Sequence, residues 1–375
     1  MIKWFDSKVV TAMPEVTNTQ GDLVNMLNAL LVNGINFKPI ISISHANGVC
    51  TLDVGNGHGF VLHSVVDIQG SAQQALIGTE FRVEATTPTT ISFSCPTSVI
   101  NETGLTVRYA PIGWTSHFTS AGRACYKSKD MRYPAYLRVD DVKFSGTATV
   151  AAKFAGVEIC ENMSSFDTVI GAQSPFEPNY PLQNRQTLSG RSNGWFKWYY
   201  SAVSGNGSLE TSVAAPAGKK NYALIGDESG FYLILYPDGN VPVMYGVYHT
   251  ETNTHLLANN GYSQVPYETR NPLDVGGYNF CICSLYGFQG MPTDNREYVT
   301  PVYPFLSVNL PTSFNQLFLK RIAMKNVSFD VVYGTLPHVF LSDTRKFDTS
   351  NVVSDGTKRY LSFVYSSAAL FFEVT

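Results

Sequence analysis

The segment from Lys38 to Tyr109 constrains the fold of this chain more than any other part of the sequence. It consists of short runs rich in β-branched residues, namely KPIISIS, GVCTLDV, SVVDIQG, TEFRVEA, TISFSC and LTVRYA. Turn-forming pairs such as Asn47-Gly48 and Asn56-Gly57 stand between the runs, and these residue types favour tight hairpin turns. The pattern predicts a small antiparallel β-barrel or β-sandwich of about six strands over residues 38–110.

One helix is predicted ahead of this segment. Its apolar face is formed by leucines at positions i, i+4, i+7 and i+8, namely Leu23, Leu27, Leu30 and Leu31. Thr17 or Thr19 can cap its start, and Gly34 ends it. We therefore expect residues 1–37 to form an N-terminal arm and a helix.

A second, larger β-rich region is predicted over residues 111–375. The sequence Ala110-Pro111-Ile112-Gly113-Trp114 interrupts the alternation, so we place a domain boundary there. Strand-like runs then recur at 124–127, 136–139, 147–158, 195–200, 222–225, 231–236, 241–248, 278–285, 327–333 and 360–374. The fold class is thus mainly β: a helix, a small β-domain, and a larger β-sandwich-like domain with long loops.

Two stretches of this larger region, 162–194 and 250–277, are rich in Pro, Ser and Asn or lack strand-like alternation. Loops this long inside a compact domain are usually functional or pack on a neighbour. We expect them to be arms that lie against neighbouring subunits. The apolar run that ends at Val374 is expected to be tied into a sheet or a partner.

Composition and charge exclude several classes of protein. Of the 375 residues only 15% are charged and 44% are hydrophobic, and Lys plus Arg total 26 against 29 Asp plus Glu. A general surface for nucleic acid or for an anionic membrane is therefore not expected. The first residues lack the apolar run of a secretory signal, and no window is apolar enough to span a membrane. The six cysteines are too sparse for a disulfide scaffold, so we expect reduced, mostly buried thiols in a soluble protein made in the cytoplasm.

Neither a metal site nor a cofactor site is predicted. His58 and His63 stand close together, and Cys281 and Cys283 share one face of a predicted strand, but neither pair has the second half that a zinc site requires. No phosphate-binding loop and no nucleophile elbow is present. We expect no cofactor and no enzymatic activity.

Carboxylates keep one catalytic alternative open. Asp140 and Asp141 are adjacent, so on a strand they point to opposite faces and cannot together form the carboxylate pair of a glycosidase. Glu158 or Asp227 remains as a distant partner, which leaves a polysaccharide hydrolase as an alternative function. Arg138 is expected to pair with Asp140 on its own face, in a structural role.

Aromatic residues form the remaining signal. Because a strand buries one face, about half of the aromatic residues near 195–200 and 231–248 are expected to face outward, where Trp and Tyr suit sugar stacking or protein contacts. The possible interaction surface comprises Trp195, Trp198, Tyr200, Tyr232 and Tyr245. The alternative is that these rings form the core and a subunit interface.

A resemblance to a known family adds to this interpretation. The segments DLVNMLNALLVNG, GHGF, GSAQQALIGTEFRVEATTPTTISFSCP, APIGW, ACYKS, YLRVDD, GVE and ALIGD followed by FY occur in this order over roughly residues 20–235. Their order and spacing resemble a family of tailed-bacteriophage virion proteins. The run from Ile68 to Val83 is also similar to a short β-module of phage tail and fibre components, although it carries Ile77 where that pattern favours Asn.

The resemblance implies a structural component of the virion, in the tail tip, baseplate, collar or capsid surface. Expected partners are copies of the same chain, in a homo-oligomer, and other virion structural proteins, with neither nucleic acid nor membrane among them. The protein would be assembled in the host cytoplasm and reside in the virion. A receptor- or glycan-binding module on the particle, contacting a host glycan, is the first alternative, and the polysaccharide hydrolase is the second.

Overall fold

The described part of the protein consists mainly of antiparallel β-strands, as the sequence predicts. The computed structural model describes residues 1–129, 135–142, 154–176, 186–188, 191–202, 215–237, 243–249, 254–259, 280–284, 296–302, 307–310, 317–326, 332–342, 352–354, 359–365 and 368–374. The mainly β fold class is confirmed.

The predicted helix is present, but its start is stabilised differently from the expectation. Helix α1 spans Asp22–Leu27 and continues as a π-helical turn over Asn28–Asn33, which ends at Gly34 with φ of 71°. The prediction that Thr17 or Thr19 caps the helix is wrong, because the N-cap is Gly21 and no side chain of the neighbouring sequence caps it. Instead, the backbone N–H of Gly21 donates to Asp141 Oδ2 at 2.7 Å. A residue far away in the sequence therefore performs the capping.

The segment before residue 110 forms two packed sheets. Strand β1 (Lys3–Asp6) belongs to a different sheet, described below. The two packed sheets are built from β2 (Ile35–Pro39), β3 (Ser42–Ala46), β4 (Val49–Asp53), β5 (Val65–Gln69), β6 (Glu80–Arg82), β7 (Ala85–Thr86), β8 (Thr90–Ser94) and β9 (Thr106–Tyr109). One sheet has the order β2-β9-β5-β6 and the other β3-β4-β8-β7. The rings of Phe81 and Phe93 stack between the two sheets with centroids 4.3 Å apart. This is the small antiparallel β-region that the turn spacing predicts, and we call it the small sandwich.

The next strands form a middle sheet. They are β10 (Thr115–Ser120), β11 (Arg123–Lys127), β12 (Tyr136–Asp140), β13 (Phe154–Ser165), β14 (Thr168–Ser174), β15 (Gln186–Leu188), β16 (Arg191–Asn193) and β17 (Phe196–Tyr199). The order is β10-β11-β12-β13-β14, β17 also pairs with β13, and β15 pairs with β16. The start of the stretch 162–194 was expected to be a loop, and this is wrong, because β13 and β14 form a hairpin within the sheet.

The remaining strands build a large antiparallel sheet. They are β18 (Tyr222–Gly226), β19 (Phe231–Leu235), β20 (Val243–His249), β21 (Thr254–Asn259), β22 (Phe280–Ser284), β23 (Arg296–Val302), β24 (Ser307–Leu310), β25 (Leu317–Asn326), β26 (Val332–Ser342), β27 (Val352–Ser354), β28 (Arg359–Tyr365) and β29 (Ala368–Glu373). The order is β1-β18-β19-β20-β21-β22-β23-β25-β26-β29-β28-β27, and β24 pairs with β25.

The ends of the chain are both part of this large sheet. Strand β1 pairs with β18, and the hairpin of β28 and β29 buries Phe371 and Phe372. The expectation that the apolar run near Val374 is tied into a sheet is therefore confirmed. Of the predicted arm 250–277, residues 254–259 form strand β21, and residues 260–277 lie outside the described residues.

A continuous core joins the small sandwich to the later sheets. One cluster of buried side chains runs from Phe5 through the small sandwich to Leu256. Trp114, in the predicted boundary, is itself buried and meets the ring of Phe231 edge-on at 5.4 Å. The division into residues 1–37, 38–110 and 111–375 stays a prediction.

Candidate functional site

The aromatic residues predicted as a possible interaction surface lie inside the chain. All of them are at most 5% exposed: Trp195, Trp198, Tyr200, Tyr232 and Tyr245. The expectation that about half of these rings face outward is wrong. The strands that carry them are covered on both faces, so simple alternation between core and solvent does not apply.

Each of these rings has an identifiable role in packing. Trp198 stacks on Tyr245 with centroids 5.3 Å apart, and the hydroxyl of Tyr245 accepts the backbone N–H of Tyr199 at 2.8 Å. Trp195 stacks on Phe154 at 5.9 Å. These contacts join β17 to β20 and β13, which makes the Trp195–Tyr200 segment a core element.

The second face of the middle sheet carries a buried ionic cluster. Arg138 donates from Nη1 to Glu158 Oε1 at 3.2 Å and from Nη2 to Asp140 Oδ2 at 3.4 Å. Arg123 also donates to Asp140 Oδ2, at 3.0 Å. The ring of Phe166 covers both guanidinium groups, at 3.9 Å from Arg123 and 4.4 Å from Arg138.

The predicted pairing of Arg138 with Asp140 is confirmed, and the cluster has a consequence for catalysis. Asp140 and Glu158 are fully buried, and each is engaged by a guanidinium. A polysaccharide has no access to carboxylates in this state, and their charges are already compensated. The arrangement suits a structural role.

Asp141 directly follows the last residue of β12 and contacts partners on the side opposite to those of Asp140, as the sequence predicts for these two adjacent residues. Tyr200 Oη donates to Asp141 Oδ1 at 2.7 Å, and Gly21 N–H donates to Oδ2. Burial raises the pKa of Asp141 to about 7, although these hydrogen bonds act in the opposite direction. Asp141 thus ties the start of α1 to the middle sheet.

The histidines and cysteines considered as metal ligands are otherwise engaged where the structure describes them. His58 Nδ1 accepts the N–H of Phe60 at 3.0 Å, and His58 Nε2 lies 2.9 Å from the carbonyl of Thr87. Four cysteines of the described part are buried, namely Cys50, Cys95, Cys125 and Cys160. The side chains of Cys281 and Cys283 lie outside the described part. No cluster of three or more metal-ligating side chains occurs among the described residues.

A cavity of about 200 Å³ opens beside Tyr232. Its walls come from the turn between β18 and β19, from the end of β20, and from β26 and β29 of the same curved sheet. The described lining comprises Ile2, Ile225, Gly226, Asp227, Ser229, Gly230, Tyr232, Tyr248, His249, Pro337, His338 and Phe372. We call this site the Tyr232 cavity.

The turn beside the cavity is shaped by its own sequence. Asp227 Oδ1 accepts hydrogen bonds from the N–H of Ser229 at 2.9 Å and from its hydroxyl at 2.6 Å, which closes the turn between β18 and β19. A Cβ on Gly226 would stand 2.2 Å from the carbonyl oxygen of Gly230, so a side chain at position 226 would force the turn apart. The turn therefore holds the Asp227 side chain in a defined position at the cavity wall.

The opposite wall is fixed by contacts that no local sequence pattern indicates. Tyr232 Oη donates to the carbonyl of Pro337 at 3.0 Å across a separation of 105 residues. The ring of Phe372 lies 5.7 Å from that of Tyr232. His338 has a positive φ of 59° and is exposed at the rim. Sequence reasoning named Tyr232 and Asp227 but missed His249, His338 and Phe372, since they come together only through tertiary packing.

Exposed apolar side chains occur elsewhere, in the loops of the small sandwich. Ile41 is 62% exposed, Ile77 is 46% exposed and Ile100 is 72% exposed. Gln73 joins two of these loops. Its side-chain amide accepts the N–H of Ile100 and donates to the carbonyl of Ile100, each at 2.9 Å, and its backbone carbonyl accepts the N–H of Ile77. The next residue, Asn101, accepts the N–H of Ile43 at 2.8 Å, which brings the loop of Ile41 to the same end of the sandwich.

No protein-family model and no curated protein matches this chain. No helix in the described part of the chain is long and apolar enough to cross a membrane.

Proposed function

We propose that this chain is a structural subunit of a tailed-bacteriophage virion and assembles with copies of itself and with neighbouring virion proteins. The assembly role is supported by the exposed isoleucines on neighbouring loops of the small sandwich. The assignment to a phage particle is supported by the order of sequence motifs between residues 20 and 235. Tail tip, baseplate, collar and capsid surface are the positions that such a subunit would occupy.

The exposed isoleucines carry the assembly proposal. Ile41, Ile77 and Ile100 belong to loops joined by hydrogen bonds through Gln73 and Asn101. An isolated exposed apolar residue is ordinary, but several on adjoining loops make a surface whose burial is favourable. Covering each side chain would contribute roughly 1–2 kcal/mol to association. In a symmetric assembly the same surface recurs on every copy, so the gain multiplies.

An exposed edge strand adds a second surface of the same kind. Strand β10 is at the edge of the middle sheet, and its sequence from Thr115 to Ser120 contains neither Lys, Arg, Asp, Glu nor Pro. All but one of its residues are exposed. Edge strands without charges or proline readily pair with a strand of another chain. We expect β10 to contact a neighbouring subunit.

Measuring the mass of the purified chain over a range of concentrations tests the assembly role. Light scattering should show oligomers for the wild type and a shift toward monomer when Ile77 and Ile100 are both replaced by Glu. Ile170→Glu is the matched control, because Ile170 is 49% exposed but lies on β14 of the middle sheet. A wild-type chain that stays monomeric at all concentrations, alone and with particle proteins, would contradict the proposal.

The virion assignment has its own test. Mass spectrometry of purified particles should detect the chain, and electron microscopy with a label on it should place the label at one symmetric position. Absence of the chain from purified particles would remove the assignment even if the chain forms oligomers.

A glycan-binding role on the particle is a second candidate, and the Tyr232 cavity is the observation that favours it. The surface that the sequence predicts around Trp195 does not support this role, since those rings are buried. Adding host polysaccharide and finding new reducing ends would instead support the hydrolase, which no described carboxylate arrangement favours.

A further inference from the structure

We propose that strand β10 of one copy pairs with β10 of a second copy, antiparallel and across a two-fold axis beside Thr119. The middle sheets of the two copies then form one continuous sheet. This inference rests on the proposed assembly function and deepens it, because it names the partner of β10 and the geometry of the contact. Exposure, charge, strand direction and register each contribute a step.

The outer edge of β10 is accessible to another chain. Every residue from Thr115 to Ser120 is exposed except Phe118, which is half-buried. In the order of the described strands, β10 stands at the end of the middle sheet, beside β11. An antiparallel strand directs the backbone groups of alternate residues to either side, so part of the N–H and C=O groups of β10 point away from β11. These are the groups that a further strand would bind.

The sequence of β10 favours an uncharged partner edge. It is TSHFTS, which contains no Lys, Arg, Asp or Glu. On the neighbouring strand, Arg123 is paired with Asp140, and the Lys127 ammonium lies 5.1 Å from the centre of the Tyr136 ring. Two copies of this edge can approach without bringing like charges together, whereas an acidic or basic strand gains nothing from it. A second copy is therefore the partner that fits.

Strand direction decides between self-pairing and a head-to-tail contact. Each strand of the order β10-β11-β12-β13-β14 is antiparallel to the next, so β10 and β14 run in the same direction. A contact between β14 of one copy and β10 of the next, with the same sheet face outward, would be parallel and slightly less stable per residue. Pairing β10 with itself across a two-fold axis perpendicular to the sheet gives an antiparallel contact.

Of these two end strands, β10 is the more regular. Strand β14 shifts register against β13 at two places and contains Gly171 with a φ of 81°. Strand β10 shifts register against β11 once, at His117, and its residues Phe118–Ser120 pair in register with Arg123–Cys125. A regular segment can extend the hydrogen-bonding pattern of the sheet to a further strand. The self-pairing edge is therefore β10.

The regular segment also determines the register. With the axis perpendicular to the sheet, paired residues share a face, so one residue must pair with its own counterpart. Thr119 is the middle residue of the segment, and a Thr–Thr pair across two strands is favourable. The His117 ring contacts the rings of Phe118 and Tyr136 edge-on, at 4.4 and 5.1 Å, so it is held on its own chain. Thr119 therefore meets Thr119 of the second copy.

Sedimentation of the full chain at pH 7.5 over a range of concentrations tests the register. Thr119→Lys should weaken self-association about tenfold, because two ammonium groups would meet at the axis. Thr119→Val is the matched control at the same position and should leave association unchanged, since valine is uncharged and favours strands. Ile170→Lys should also leave it unchanged, because this exposed residue is on β14. A Thr119→Lys chain that associates like the wild type would overturn the proposal.

Mixing two variants tests the two-fold symmetry. A Thr119→Lys chain mixed with a Thr119→Glu chain should associate as tightly as the wild type, because opposite charges then meet at the axis. Each variant alone should remain about tenfold weaker. A mixture that associates no better than its components would overturn the pairing of Thr119 with its own counterpart.

Hydrogen exchange followed by mass spectrometry separates this inference from the proposed function. The amides of residues 115–120 should exchange more slowly as the concentration of the chain alone rises, in parallel with the mass of the assembled species. Oligomers in which these amides exchange at the monomer rate would overturn the pairing and leave the assembly role intact. Slower exchange that requires other virion proteins would also overturn it. A chain with neither oligomers nor slower exchange would contradict both proposals.

Discussion

Large apolar side chains are exposed in the loops of the small sandwich, whereas they are buried in the interior of the later sheets. Ile77 and Ile100 stand in polar loops and are exposed, whereas Trp198 and Tyr245 are wholly enclosed by neighbouring strands. A concentration of aromatic residues is therefore a sign of the core in this protein. Ile41, Ile77 and Ile100 instead present aliphatic side chains on loops between the strands of the small sandwich. Substitutions in the two regions should therefore differ in how much they lower the free energy of unfolding.

The largest expected effect is at Trp198. Replacing it by Ala removes a fully buried ring that contacts Tyr245 and Phe231, so we expect the free energy of unfolding to fall by about 3–5 kcal/mol. Denaturant unfolding followed by circular dichroism measures this. A loss below about 1 kcal/mol would show that the ring is not part of a tight core and would remove the contrast between the regions.

Arg138 should come next. Arg138→Met leaves Glu158 buried without its guanidinium, so we expect a loss of about 3 kcal/mol in the free energy of unfolding. Arg108→Met is the comparison, because the Arg108 and Asp67 pair at 2.7 Å is partly exposed and should cost about 1 kcal/mol or less. Equal losses for the two variants in the same unfolding assay would contradict the special role of the buried cluster.

Asp141 should give an effect that depends on pH. Because burial raises its pKa in the folded chain from 3.8 to about 7, the folded state binds a proton more tightly than the unfolded state does. The stabilisation is complete below pH 3.8 and is lost as the pH rises through 7, with a slope of at most about 1.4 kcal/mol per pH unit.

Asp141→Asn should remove this contribution. The difference in unfolding free energy between wild type and variant, measured at intervals from pH 4 to pH 8, isolates the residue from all other titrating groups. A difference that does not change with pH would show that the Asp141 carboxyl is not desolvated in the folded chain.

The smallest effect on stability is expected in the loops. Ile100→Ser should change the free energy of unfolding by no more than about 0.5 kcal/mol, because the side chain is 72% exposed. Its effect should appear in the mass of the assembled species instead. A marked loss of stability in the monomer would mean that Ile100 contributes to the fold, and the contrast with Trp198 would fail.

Much of the fold could be predicted from local sequence. The turn-forming pairs between residues 38 and 109 marked the hairpins of the small sandwich, and the leucine spacing marked α1. Alternation also placed Arg138 and Asp140 on one face and Asp141 on the other. Each of these features depends on residues near one another in the chain, where backbone preference and strand alternation act directly.

The errors share a different cause. The Thr17 or Thr19 cap was wrong because Asp141, more than a hundred residues away, satisfies the helix start. The outward orientation of aromatic rings near Trp198 was wrong because both faces of those strands are covered. The hairpin of β13 and β14 was missed since polar strands on an outer sheet look like loops in the sequence. One side of the Tyr232 cavity was missed because strands far apart in the chain supply it. That side is formed by His249, His338 and Phe372.

The sequence by itself determines three features, because turns and strand alternation are local properties. They are the mainly antiparallel β class, the helix at Asp22–Leu27, and the placement of Arg138 and Asp140 on one face with Asp141 on the other. Tertiary structure alone decided which aromatic rings are enclosed, which isoleucines stay exposed, and that Asp227, Tyr232 and His338 border one cavity. Burial depends on which surfaces meet in the folded chain. The strands that supply these surfaces are far apart in the sequence, as Tyr232 and Pro337 show with a separation of 105 residues.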